Sequence, residues 1–80
     1  MGVKDAVAAR FESICRERSM TINELACRSG VTPSSVYSML EPSRRNISIV
    51  LIKKLCDGLD LPLNQFFDGA EFDELEQEIQ

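Results

Sequence analysis

The stretch Gly30-Val31-Thr32-Pro33 constrains the fold of this chain more than any other. Gly30 suits the left-handed residue that stops a helix, because it has no Cβ to clash there. Thr32 offers a hydroxyl to cap the next helix, and Pro33 fits its first position, where the missing N–H costs nothing. Only Val31 separates the end of one helix from the start of another. That connection is too short for an antiparallel hairpin of long helices and predicts two short helices meeting in a tight turn.

The rest of the chain is punctuated in the same way. Val3, Val7, Phe11 and Ile14 recur at steps of four and three, which predicts a helix from Val3 to Arg18. Thr21-Ile22-Asn23-Glu24 matches a capping box and marks the start of a second helix that runs to Gly30. The third helix spans about Pro33 to Leu40, since Pro42 opposes continuation past Glu41. Ser43-Arg44-Arg45-Asn46 reads as a polar loop. Ser48 caps a fourth helix with Ile49, Ile52, Leu55, Cys56 and Leu59 as its buried stripe, ending near Asp57-Gly58-Leu59-Asp60. Pro62 opens a short fifth helix, Leu63 to Phe67, which drives Phe66 or Phe67 into the core. In the tail, Phe72, Leu75 and Ile79 stand at helical spacing on an acidic background, which predicts a short amphipathic helix.

Eighty residues allow one compact unit, and the regular recurrence of Leu, Ile, Val and Phe argues for folding. The net charge of −4 is unevenly spread: residues 1–60 carry nine basic and seven acidic groups, whereas 61–80 carry six acidic groups and no basic one. An acidic tail thus masks a mildly basic body, which keeps nucleic acid open as a partner. No apolar run approaches the roughly 20 residues that span a bilayer, and the N-terminal residues do not form a signal-peptide pattern, so no membrane partner and a cytoplasmic location are expected. Cys15, Cys27 and Cys56 are odd in number and widely spaced, and they read as free, mostly buried thiols. With no histidine and no CxxC pair, neither a metal nor a cofactor is expected. No catalytic residue stands out either: Asp5, Glu12, Glu17 and Glu24 fall on solvated helix faces, and no Gly-rich phosphate loop is present.

Chemistry concentrates on the third helix. On a helical wheel Val36, Met39 and Leu40 share one face, Ser34, Ser38 and Glu41 the opposite one, with Ser35 and Tyr37 on the flanks. The outward face is small and polar, as close approach to base edges requires, and Ser hydroxyls can donate or accept there. Serines tolerated on a solvated surface would look the same.

The ordered landmarks Met20-Thr21-Ile22-Asn23-Glu24-Leu25-Ala26, Gly30-Val31-Thr32, Ser35-Val36-Tyr37-Ser38-Met39-Leu40, Asn46-Ile47-Ser48-Ile49 and Leu59-Asp60-Leu61-Pro62-Leu63-Asn64-Gln65-Phe66-Phe67 resemble the Xre family, the Cro and phage-repressor class of helix-turn-helix regulators. The resemblance covers about residues 4–68. It implies an all-α, five-helix lambda-repressor-like bundle over 1–68, with 69–80 as an acidic tail. It also implies sequence-specific binding of double-stranded DNA by a transcriptional regulator, usually as a homodimer on a palindromic operator. The third helix would be the recognition helix, with Pro33, Ser34, Ser35, Tyr37 and Ser38 at the bases. Thr21, Asn23, Thr32, Arg44 and Arg45 would lie along the DNA backbone. A protein-interaction or antitoxin-like module on the same fold is the alternative. Two departures stand out. The family often places a DNA-contacting Gln where this chain has Ile22, and it commonly pairs an Arg late in helix 1 with a Glu ending helix 3, positions held here by Cys15 and Leu40. Loss of both partners is the tolerable combination, since losing one would strand a buried charge.

Overall fold

The computed structural model describes residues 2–43 and 47–79. Five α-helices follow one another: α1 Val3–Glu17, α2 Ile22–Ser29, α3 Pro33–Leu40, α4 Ile49–Gly58 and α5 Leu63–Phe66; a single 3-10 turn, Ala70–Phe72, comes after them. No strand occurs among the described residues. The polar loop expected at Arg44-Arg45-Asn46 lies outside them.

The starts of α2, α3 and α4 and the ends of α1, α2 and α4 have local causes. At α2 the Glu24 N–H donates to Thr21 Oγ1 at 3.1 Å, and the Thr21 N–H donates to Glu24 Oε1 at 3.3 Å, completing the capping box. Gly30 takes φ 69°, and the N–H of Val31 donates to Ala26 O at 3.1 Å, closing the helix. Thr32 Oγ1 accepts from the Ser35 N–H at 3.4 Å, and Ser48 Oγ from the Leu51 N–H at 3.1 Å. Ser19 and Asp60, each just past the C-cap of α1 or α4, adopt φ 52°, a left-handed stop made without glycine.

The core forms where the helices converge. Phe11 of α1, Leu25 of α2, Val36 and Met39 of α3, Leu55 and Cys56 of α4 and Phe66 of α5 are all fully buried. α2 crosses close over α4. A β-carbon at Gly58 would lie 3.0 Å from the Ser29 backbone nitrogen and closer still to its hydroxyl, so a larger residue there would push the two helices apart. Burial pushes the Cys56 thiol up to about 11, with Asp57 adding to the shift, so this sulfur stays neutral and unreactive near neutral pH.

Two arginines lock the ends of the later helices to α1. Arg10 Nε donates to Phe66 O at 2.8 Å and its Nη2 to Gln65 O at 3.1 Å; Arg18 Nη1 donates to Leu59 O at 2.6 Å. The bonds to Leu59 O and Phe66 O satisfy carbonyls that α4 and α5 leave open at their C-terminal ends, while Gln65 O also accepts from the Asp68 N–H at 3.2 Å.

Two expectations are corrected. Ile49 is 61% exposed and does not join the buried stripe, because it occupies the first turn of α4, where the chain is still entering the bundle. The three cysteines are free and mostly buried as expected, Cys15 and Cys56 being buried and Cys27 exposed. The tail helix is absent: after the turn at Ala70–Phe72 no helix forms among the described residues. Phe72 instead packs 5.8 Å from the Phe66 ring and 5.0 Å from that of Phe67, whereas Ile79 is 87% exposed. Phe66 fills the core and Phe67 stays at its edge.

Candidate nucleic-acid interface

α3 is pinned by one face and open on the other. Val36 and Met39 are fully buried and Leu40 is half-buried against the same core, which fixes the helix about its axis. Thr32, Pro33, Ser34, Ser35 and Tyr37 are consequently exposed, Tyr37 by 53%, and Ser38 is half-buried. The five residues expected at the bases thus lie together along eight residues of helix.

Their hydroxyls are partly organised by one another. Thr32 Oγ1 is hydrogen-bonded to Ser35 Oγ at 2.9 Å and to Ser34 Oγ at 3.1 Å, besides accepting from the Ser35 N–H. Thr32 and Ser35 therefore build the start of the helix, and Ser34 sits at the outer end of that chain of hydroxyls. Sequence reading placed the residues but missed this network; the cap signature at Thr32 with serines two and three positions later is the signal that points to it.

Open grooves run along both sides of the Ser34–Ser38 ridge. One, about 440 Å³, lies between α3 and the start of α4 and is lined by Val31, Ser34, Ser38, Ser48, Val50 and Lys54 among others. The other, about 620 Å³, is bounded by Ser34, Tyr37, Ser38, Glu41 and Ser43. α3 carries no acidic group in its first turn and no basic group in its last. Glu41 follows it, with Oε1 accepting from Ser43 Oγ at 3.3 Å.

The residues expected along a nucleic-acid backbone divide three ways. Thr21 and Asn23 are exposed at the start of α2, but the Thr21 hydroxyl is engaged with Glu24, and that carboxylate takes up part of the helix end. Thr32 is committed to capping α3. Arg44 and Arg45 lie outside the described residues. Ile22 packs against the core, so it does not substitute for a contacting Gln. Cys15 belongs to the core, only 4% exposed with its thiol raised chiefly by burial, and Leu40 packs half-buried against that core.

Among the described residues no group of three or more His, Cys, Asp or Glu side chains is arranged to hold a metal ion, and no helix is long and apolar enough to cross a membrane. No curated protein and no solved structure matches the chain. A family model does: the Cro/C1-type HTH DNA-binding domain matches residues 10–68, from the first half of α1 to just past α5. An all-helical chain whose α2 and α3 meet at a left-handed Gly30, and most of whose length fits that model, belongs to the Cro/C1-type helix-turn-helix DNA-binding domain family.

Proposed function

We propose that the protein is a cytoplasmic, sequence-specific transcriptional regulator, acting as a repressor, that lays α3 in the major groove of a palindromic operator. The observation that carries this reading is the outward face of α3: small hydroxyl side chains and one tyrosine, held in a fixed rotation by a buried opposite face. In the family's docking geometry the start of this helix meets the base edges, and Pro33, Ser34, Ser35, Tyr37 and Ser38 occupy that part of it. The reading assigns Thr21, Asn23, Thr32, Arg44 and Arg45 to the phosphates. The reading assigns no catalytic step.

One copy offers few charged contacts, too few for the binding of about 10 nM or tighter that specific regulators reach. Two copies, with recognition helices about 34 Å apart on successive turns of the groove, supply the rest. The exposed C-terminal ends of α4 and α5 are the surfaces through which copies meet, with the stripe Phe72, Leu75 and Ile79 as the other candidate. A second reading, a protein-interaction or antitoxin-like module, draws on one specific observation. An apolar groove of about 280 Å³ lies among Val3, Val7, Ile47, Ile49, Ile52 and Phe67, with Ile49 and Val3 at its exposed edge.

Selection from randomised duplexes at two salt concentrations separates the readings. A regulator enriches a palindromic site and loses affinity as salt rises. A chain that enriches no sequence while capturing a protein partner belongs to the second class.

A further inference from the structure

The recognition face lacks every side chain that makes the strong bidentate base contacts. No Arg, Lys, Asn or Gln stands on α3, so guanine O6/N7 and adenine N6/N7 cannot be read there in the usual two-bond way. Yet the groove beside α3 contains an apolar side chain with no structural explanation. Val50, in the first turn of α4, is 60% exposed, while the core is filled by its neighbours Ile52 and Leu55. It projects into the groove that Ser34, Ser38 and Ser48 also line, with Val31 and Leu51 as further apolar wall and no acidic group. Lys54 stands at the same groove and has no ion-pair partner among the described residues, unlike Lys53, which is bound to Asp57 at 2.5 Å.

A phosphate is strongly hydrated and gains nothing from a valine. The C5-methyl of thymine is the apolar group that the floor of the major groove presents, and adenine, guanine and cytosine carry no such group there. We propose that the groove between α3 and the start of α4 seats a thymine methyl against Val50, with Ser34 and Ser38 at the adjoining base edges and Lys54 on the neighbouring phosphate, so that the operator is recognised through thymines. This rests on the placement of α3 in the major groove proposed above.

The test uses the full chain and duplexes selected from a random pool. Each thymine of the selected half-site is replaced in turn by deoxyuridine, which removes the methyl and keeps every hydrogen bond. One such replacement weakens binding about four-fold, the value of one buried methyl-sized group. Val50→Ala weakens binding to the thymine duplex by a similar factor, no longer distinguishes thymine from uracil at that position, and melts at the parent temperature. Selective binding that is indifferent to uracil at every thymine overturns the proposal and leaves the regulator intact, as does a uracil effect undiminished in Val50→Ala. Enrichment of no sequence at all overturns both.

Discussion

α1 and the C-terminal tail carry the same apolar signature and end up differently. Val3, Val7, Phe11 and Ile14 space themselves like Phe72, Leu75 and Ile79, yet the first set lies on a fifteen-residue helix and the second follows a three-residue turn. α1 buries Phe11 completely and Val7 and Ile14 nearly so, and its exposed positions mix Lys4, Asp5, Glu12 and Arg16. The tail meets a partner surface chiefly through Phe72, on the rings of Phe66 and Phe67. Beyond it Asp73, Glu74, Glu76 and Glu78 repel one another, with Glu74 and Glu78 at the four-residue spacing where like charges oppose a helix. Spacing makes a helix only where something covers the apolar stripe, because an isolated segment of this length does not pay its own nucleation.

The largest effect that this contrast predicts lies in the bundle. Leu40→Glu places a lone carboxylate against the core and destabilises by about 3 kcal/mol, measured by urea unfolding at neutral pH. Adding Cys15→Arg recovers part of that loss, because Cys15 sits in the same packed interior. A double variant no more stable than Leu40→Glu alone would show that positions 15 and 40 do not pair across the core.

A smaller effect belongs to the tail. Truncation after Asp68 uncovers the edge of Phe66 and Phe67 and removes about 1–2 kcal/mol, the scale of one half-buried aromatic. Binding moves the other way: five carboxylates leave with residues 69–80, so DNA affinity rises at low salt and the gain fades at high salt. Unchanged stability would show that Phe72 contributes nothing. A truncated chain that sediments at half the parent mass and binds more weakly would make the tail the contact between copies.

The helices were legible because capping is local. Thr21, Gly30, Thr32-Pro33 and Ser48 announce their own boundaries through bonds that span three or four residues, and α3 occupies the span read for it. The arginine clamps were not legible, since Arg10 reaches carbonyls 55 and 56 residues away. Ile49 escaped for a related reason: periodicity marks which residues are apolar but not where a stripe outruns its cover. In the candidate interface the outward residues of α3 could be read from the wheel, whereas the hydroxyl chain at Thr32 and the exposed Val50 depend on rotamers and on the approach of α4.

The central claim is that the open face of α3 reads DNA sequence while its buried face only holds it in place. Sequence preference measured for Ser34→Ala and Ser38→Ala against a panel of single-base operator variants tests it most directly, with Arg44→Ala as the reference. The serine variants keep the parent's melting temperature and change which base is preferred at one or two positions. Arg44→Ala weakens binding to every duplex and lowers the salt slope by about one, as loss of a phosphate contact does. Serine variants with the parent's affinity and the parent's preferences at every position would contradict the claim and remove α3 from the groove.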